Sequence, residues 1–566
     1  MAKKSKKSKN IQLIPLGGVG EIGKNMFVLQ YGKECIIMDA GLKFPDEAML
    51  GVDIVIPDTS YLLEQDLDIL GIILTHGHED HIGAIPYIIE ELKAPIYGTR
   101  LTLGLLEAKF RENPVGDIEM NEINPDQRLI LSDNFKLDFF RTNHSIPDSV
   151  GVSVETPVGT VVYTSDFKFD QTPVDGKITE YHKLAELGRK GIVAALIDST
   201  NADRPGYTFS EKEVGESINE IFRLSRSRII LATFASNIHR IQQVIDAAIR
   251  YDRKVCVVGR SIVNSVDIST ELGYLTIPKG LLIDTDKVSD FPAEKVALIT
   301  TGSQGEPMSA LTRISQSEHR QVQIQPGDTV IIAANPIPGN EKLVARTVNN
   351  LFQLKADVIY KPVSGVHVSG HGSEEEIKLM LNMLRPGYII PVHGEYRQQA
   401  NCSKIAGKVG IPEENVFLVK PGNVMEFSNG WGRMSGSVSA GRVLVDGFGV
   451  GDVGEVVIRD RQMLSEDGIV IIILALDPEK NKILAGPEII TRGFVYVRES
   501  EDMLEGAKGE LNKTIDRISR QKIQEWNKIK SRIRDSAGTY FYNRTGRKPM
   551  ILPIIIDVPS NGEPKK

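Results

Sequence analysis

The run Thr75-His76-Gly77-His78-Glu79-Asp80-His81 constrains this chain more than any other stretch. It follows the apolar stretch Gly71–Leu74 and precedes an amphipathic one, so it reads as a strand-to-helix loop. His76, His78, Asp80 and His81 put three imidazoles and a carboxylate within six residues. Imidazole and carboxylate without thiolate suit zinc and, less tightly, manganese or iron. A catalytic zinc takes about three protein ligands plus water, so this loop overfills one ion. Two ions sharing the set is the arrangement these donors ask for, and it needs further ligands from elsewhere.

Three more candidates stand where apolar runs end. His144 follows the strand-like Phe135–Phe140, Asp166 follows Gly159–Tyr163, and His393 ends Ile390-Pro391-Val392-His393. Asp166 has two oxygens and can bridge two ions. Asp39 also ends an apolar run, Cys35–Met38.

The early glycines Gly18, Gly20 and Gly23 fit GxGxxG, but a dinucleotide site needs a helix opening at the third glycine. Here Met26–Tyr31 reads as a strand and turns at Gly32, so the stretch is a hairpin whose glycines let backbones pack closely.

At 566 residues the chain is long enough for several domains. Residues 1–10 read as a basic solvated tail, without the apolar core of a signal peptide. No window is long and apolar enough for a membrane helix, so a cytoplasmic location is expected, with no membrane partner. Cys35, Cys256 and Cys402 form no pair by spacing and read as buried free thiols. The net charge of −7 weighs mildly against a nucleic-acid binder without vetoing a local phosphate pocket.

Strands are expected at Ile11–Leu16, Met26–Tyr31, Cys35–Met38, Leu70–Leu74, Phe135–Phe140, Gly159–Tyr163 and Val193–Ile197, and a helix over Ile82–Leu92. From about Ser210 helices (Glu211–Leu224, Ile238–Arg250) alternate with strands (Ile229–Ala232, Lys254–Val258, Val296–Thr300, Thr329–Ala333), the signature of a parallel sheet. Short strands with His and Gly turns return from about Ser364. After Gly441 the reading is a strand near Val456–Ile458, another at Ile469–Leu474, one long helix near Met503–Ala537, and a strand at Ile551–Val558.

Asp39, the HxHxDH cluster, His144 and Asp166, in that order, resemble the motifs of the metallo-β-lactamase superfamily. Asp198-Ser199-Thr200, Ser369-Gly370-His371 and Pro391-Val392-His393-Gly394-Glu395 resemble the three extra motifs of the β-CASP nucleases. GGVGEIGKN, the GSQGEPM run, SGHGS and RGFVY extend the likeness over the whole chain beyond its tail to the bacterial ribonuclease J family.

The resemblance implies an α/β fold: a metallo-β-lactamase αββα sandwich with an inserted parallel-sheet β-CASP domain and a small C-terminal α/β domain. The corresponding division is 11–210 and 361–440 for the sandwich, 211–360 for the insertion, and 445–566 for a C-terminal assembly domain. It implies a metal-dependent ribonuclease with two Zn²⁺ (or Mn²⁺) per chain, acting as a 5′-to-3′ exonuclease on 5′-monophosphate ends and as an endonuclease, in RNA processing and mRNA decay. Some family members lose part of the metal cluster and act poorly; this chain keeps every position named. His371 is then the general acid, with Asp198 holding its ring and Asp39 bracing the metal loop. Ser236 and Asn237 would face His367, Val368, Ser369, Gly370 and His371 across a terminal-phosphate pocket. Gly51, Asp53 and Asp446 correspond to a structural Ca²⁺ site. Partners would be RNA, further copies in a homodimer or homotetramer, and a paralogous subunit or other RNA-decay proteins. Two alternatives remain: a weakly catalytic or non-catalytic RNA-binding scaffold subunit, or a metallo-hydrolase of thioesters or lactones, which would not need the insertion between Asp198 and His371.

Overall fold

The computed structural model describes residues 10–46, 48–306, 308–336, 340–360, 365–428, 430–447, 449–477, 482–495, 500–521 and 525–557. The expected basic tail and Val558 lie outside the described residues, apart from Asn10. The chain divides into two compact units, 1–44 with 54–443, and 45–53 with 444–566.

Two sheets face each other in the first unit. The larger runs Trp431–Ser437, Asn423–Ser428, Ile11–Gly17, Met26–Tyr31, Glu34–Met38, Asp68–Ile73, Ile96–Gly98, Met120–Glu122. It is antiparallel up to Glu34–Met38 and parallel beyond. The smaller runs Tyr388–Val392, Ile192–Asp198, Gly159–Tyr163, Val150–Thr156, Lys136–Arg141, Leu129–Ile130. Phe27, Ile36, Met38 and Ile73 from one sheet meet Val152, Val161, Leu196 and Ile390 from the other in a dry core. Side chains alternate along each strand, so the opposite faces must be covered too. Helices Tyr181–Lys190, Glu374–Leu384 and Tyr396–Lys408 cover the smaller sheet, burying Leu184, Ile377, Leu381 and Ile405 on Val162, Ala195 and Ile197. Residues such as Ile37 and Ile72 on the other side of the larger sheet are also fully buried.

The inserted segment carries its own five-stranded sheet, ordered Lys254–Val258, Val296–Thr300, Ile229–Ala232, Thr329–Ile332, Asp357–Ile359 and parallel throughout. The chain leaves Ile229–Ala232 toward one edge and its neighbour Thr329–Ile332 toward the other. Sheets of this kind take ligands in the crevice beyond such a pair of strand ends.

In the second unit, Ile469–Asp477 pairs antiparallel with Lys482–Arg492 and parallel with Met550–Asp557. Helices Glu501–Arg520 and Trp526–Thr545 pack Leu511, Ile515, Ile533 and Phe541 onto Val470, Ile472 and Leu474.

Three element expectations need correction. Residues 456–458 belong to the helix Glu455–Glu466, where Val456 is 60% exposed; a β-branched triplet alone does not make a strand. The single long helix is two, because one straight rod could not lay both apolar stripes on a short sheet. The helix expected over Ile82–Leu92 begins at Ile85, with Pro86 in its first turn and a separate short turn Glu79–Ile82 before it.

Candidate metal and phosphodiester centre

The candidate residues lie where strands of both facing sheets end. Asp39 follows Glu34–Met38, the His76–His81 loop follows Asp68–Ile73, and His144 follows Lys136–Arg141. Asp166 follows Gly159–Tyr163, Asp198 closes Ile192–Asp198, and His393 follows Tyr388–Val392. Asp39 and His393 both take positive φ, at 59° and 52°, which turns each chain sharply off its strand.

Asp166 is the common point. Its Oδ2 lies 3.6 Å from His76 Nε2, 3.3 Å from His81 Nε2 and 3.5 Å from His144 Nε2. Its Oδ1 lies 3.0 Å from His393 Nδ1 but outside hydrogen-bonding geometry, and so remains a buried acceptor without a donor. Two ligand groups share this carboxylate: His76, His78, His144 with Asp166, and Asp80, His81, His393 with Asp166. Within each group the ligand atoms lie within 4.8 Å of one another. A third grouping joins Asp166 and His393 to Asp198 and His371.

Neighbours fix the ring faces. His144 Nδ1 donates to the Gly370 carbonyl at 2.8 Å, so its Nε2 presents a lone pair to the cluster. His81 Nδ1 lies 2.7 Å from Asp39 Oδ2, which directs its Nε2 inward in the same way. Asp39 is wholly buried and also accepts from the Thr75 N–H at 2.8 Å and the Tyr163 hydroxyl at 2.9 Å. These contacts tie both ends of the Thr75–His81 loop to one buried carboxylate. Oxygen and nitrogen donors, a shared carboxylate and an unsatisfied inward oxygen together suit two divalent cations.

Burial works against charge on Asp166, yet His393, His81 and His371 hold its carboxyl well below the usual range. Burial likewise disfavours the charged forms of His81 and His393, but Asp166 and its fellow acids keep His81 well above an ordinary imidazole and push His393 up to about 10. Burial, helped by the charges of His81 and His371, takes His78 down to about 4 against the pull of Asp80 and Asp166.

His371 stands beside the cluster, its ring centre 5.0 Å from that of His144. Its Nδ1 lies 2.8 Å from Asp198 Oδ2, and Asp198 is held in turn by the Thr200 N–H and hydroxyl at 3.0 and 2.8 Å. The His371 carbonyl accepts from Asn201 Nδ2 at 2.8 Å and the Thr208 hydroxyl at 2.7 Å. Glu376, fully buried, accepts from the N–H groups of Phe169, Thr208 and Ser373 at 2.7–2.8 Å. Reading the sequence did not single out Asn201, Thr208 or Glu376. Gly370 has a local reason: a Cβ there would sit 2.5 Å from His144 Cε1.

The Gly18–Gly23 loop clamps a ligand segment. The Gly18 carbonyl accepts from His393 N–H at 2.6 Å, and Gly20 and Glu21 form bridges with Glu395 and Gly394.

Among the candidate phosphate residues, Asn237 caps the helix Ile238–Arg250, its Oδ1 accepting from Arg240 N–H at 3.1 Å. Ser236 is half-buried just before it. Ser369 Oγ accepts from His371 N–H at 3.2 Å and from Asn201 at 2.8 Å. His367 is held neutral, down to about 3, by burial and then by Arg240, and its Nδ1 is buried without a hydrogen-bond partner. Val368 is half-buried between His367 and Ser369.

Of the residues expected at a Ca²⁺ site, Asp446 and Gly51 adjoin an arginine. Arg461 donates to Asp446 Oδ2 at 2.5 Å and to the Leu50 carbonyl at 2.9 Å, and a Cβ on Gly51 would meet its guanidinium at 2.6 Å. Asp53 Oδ2 accepts from Gly447 N–H at 2.8 Å. A cationic side chain thus already neutralises Asp446. The three cysteines are free and buried, as read from the sequence.

Four family models match the chain. Residues 19–231 match the metallo-β-lactamase superfamily and 226–351 the ribonuclease J β-CASP domain. Residues 355–417 match the Zn-dependent metallo-hydrolase RNA specificity domain, and 456–558 the ribonuclease J C-terminal domain. Ribonuclease J2 of Bacillus subtilis (strain 168) is 46% identical over 556 residues, covering 98% of this chain and 100% of that one. Ribonuclease J 2 of Staphylococcus aureus (strain MRSA252) is 42% identical over 554 residues, covering 98% and 99%. A solved structure of a protein of unknown function from Enterococcus faecalis V583 shares the fold at 14% identity, with a TM-score of 0.54 over 74% of this chain and all of that one.

Proposed function

The chain belongs to the ribonuclease J family, and from that premise we propose that it is a two-zinc ribonuclease, with manganese as the alternative ion. It removes nucleotides from 5′-monophosphate RNA ends and also cuts internally, in RNA processing and mRNA decay. The observation that carries the reading is Asp166, one buried carboxylate within 3.6 Å of four imidazole nitrogens and with one oxygen that accepts no hydrogen bond.

The residues that would hold the ions are His76, His78 and His144 on one side, Asp80, His81 and His393 on the other, with Asp166 between them. Bound divalent cations would supply Lewis acidity, lowering the pKa of water and neutralising charge on the phosphoryl group. The chain's own residues do the rest. Asp39 and the Gly370 carbonyl hold His81 and His144 with their Nε2 atoms inward. His371 keeps its Nδ1 proton on Asp198 and delivers the Nε2 proton to the departing 3′ oxygen. The charge on Asp198 raises the His371 pKa against burial, which favours the protonated ring. Asn201 and Thr208 fix its backbone, so the donor does not wander.

The terminal phosphate would sit at the start of the helix Ile238–Arg250, with Ser236 and Asn237 on one wall and the His367–His371 loop on the other. Free N–H groups at a helix start favour an anion. The same reading puts RNA across the inserted domain and the protein in the cytoplasm; no helix among the described residues is long and apolar enough to cross a membrane.

Self-association into dimers or tetramers is assigned to the second unit. The sheet face away from its helices carries Ile490, Leu552, Ile554 and Ile556, each 37–49% exposed. Truncation near Gly441 should lower the oligomer order in light scattering; an unchanged order would count against this assignment.

The deciding experiment for the activity combines elemental analysis of the purified chain with turnover of a 5′-labelled RNA before and after chelation. Two transition-metal ions per chain and cleavage that stops on chelation and returns with zinc or manganese are expected. Undiminished cleavage after exhaustive chelation would sink the reading.

A further inference from the structure

The largest fully buried side chain in the molecule is an arginine that the chemistry above leaves unused. Arg240 is 0% exposed and lies in the first turn of the helix Ile238–Arg250. Its Nε and Nη2 both donate to Glu211 Oε1, at 2.8 and 2.5 Å. Its Nη1 donates to two carbonyls, Ala333 at 3.0 Å and Val366 at 2.9 Å. Ala333 directly follows the strand Thr329–Ile332. Val366 directly precedes His367. Glu211 is itself anchored: its N–H donates to Asp170 Oδ2 at 3.0 Å and its carbonyl accepts from Gln243 at 2.7 Å.

A buried ion pair is a poor way to gain stability, because desolvation offsets most of the attraction and an apolar pair of similar volume often does as well. What a guanidinium offers that leucine or methionine does not is a planar fork that fixes several acceptors at once. Here the acceptors belong to three separate segments, and the arginine's own helix and one of those segments bound the candidate phosphate pocket. One is the helix start that carries Ser236 and Asn237. The other is the entry to the His367–His371 loop. The far end of that loop has its own anchors, since Asp198, Asn201 and Thr208 hold His371. The Val366 carbonyl is a near-end contact that ties the loop to the inserted domain through this arginine.

We propose that Arg240, anchored by Glu211, is a positioning residue that sets the distance between the Ser236–Asn237 helix start and the His367–Ser369 wall, and with it the grip on a terminal 5′-phosphate. The inference rests on the 5′-end reading above. It predicts a division of labour. Loosening Arg240 should weaken capture of the RNA end, which needs both walls, and spare cleavage inside a chain, which needs only the metal ligands and His371.

The test uses the full chain with two changes. Arg240→Met combined with Glu211→Leu removes both charges and keeps the volume. Arg240→Lys keeps the buried charge beside Glu211 but loses the fork, and carries the same test if the double variant does not fold. Mononucleotide release is measured on one RNA bearing either a 5′-monophosphate or a 5′-hydroxyl, and internal cleavage on a circular RNA. The preference for the monophosphate should fall about 10- to 100-fold through KM, the size of effect a displacement of about 1 Å produces, while the circular RNA is cut at the wild-type rate. A folded variant that keeps the preference overturns the inference. So does an equal loss on all three substrates, which would make the arginine merely structural. Wild-type enzyme without any preference removes the 5′-end reading itself, a different failure.

Discussion

The metal edge and the phosphate wall lie in the same unit and are built in opposite ways. The proposed metal edge uses side chains of chemically demanding types at or beyond strand ends, with His81 and His144 oriented by Asp39 and the Gly370 carbonyl. The proposed phosphate wall would use backbone: a helix start and a glycine-bearing loop whose carbonyls are held from behind by Asn201, Thr208 and Arg240. A metal selects its ligands by element and charge. A phosphate oxygen accepts from any N–H that is aimed at it. The first region should therefore fail abruptly when one residue changes, and the second should lose selectivity by degrees.

The largest effect is expected at the shared carboxylate. Asp166→Asn should cost both ions and bring RNA cleavage to the limit of detection, because it belongs to both ligand groups. His144→Ala, which touches one group only, should leave one ion measurable by elemental analysis. Equal metal loss in the two variants would mean that Asp166 does not bridge.

His371 comes next. His371→Ala should lower turnover by about 10²–10⁴-fold, the usual worth of a general acid, with metal content unchanged. Loss of an ion instead would assign His371 to the third grouping with Asp198 and His393, as a ligand. Asp39→Asn should act more mildly and through binding. Its carboxylate orients His81 from behind, so metal affinity should weaken by about 10- to 100-fold, and a metal-buffered titration should recover full cleavage at high zinc.

The same contrast governs what could be read from the sequence. His76, His78, Asp80 and His81 announce themselves because so many ligands in one loop have little other use. His144, Asp166 and His393 could be joined to them because each ends an apolar run. The sandwich and the parallel-sheet insertion were legible for a related reason: strand–helix alternation is written locally. Asn201, Thr208, Glu376 and Arg240 carried no such signal. They are ordinary polar residues whose partners include backbone atoms more than a hundred residues away, brought near only by the closed fold. The second unit shows the local limit. Val456–Ile458 has the residues of a strand, but it lies in the helix Glu455–Glu466 with Val456 and Val457 largely out of the core.

The smallest effect, and the one that bears most directly on the phosphate wall, concerns Ser236 and Asn237. Asn237 already has work in the fold, accepting from Arg240 N–H as the helix cap. Its replacement by alanine should therefore cost about 0.5–2 kcal/mol of stability, which thermal melting will register. That cost falls equally on every substrate. Loss of a phosphate contact does not: it falls only on RNA that brings a 5′-phosphate. A 5′-hydroxyl end should leave the pocket's donors unpaired, at about 1–3 kcal/mol for each one buried, and a triphosphate should be too long for a closed pocket. Wild-type enzyme should thus degrade the monophosphate form fastest. Ser236→Ala with Asn237→Ala should shrink that advantage while internal cleavage proceeds as before. The measurement is mononucleotide release from three RNAs that differ only at the 5′ end, at a temperature well below the variant's melting point. If the double variant keeps the full ranking, the helix start is only a cap, and the end-sensing donors must lie on the His367–His371 side.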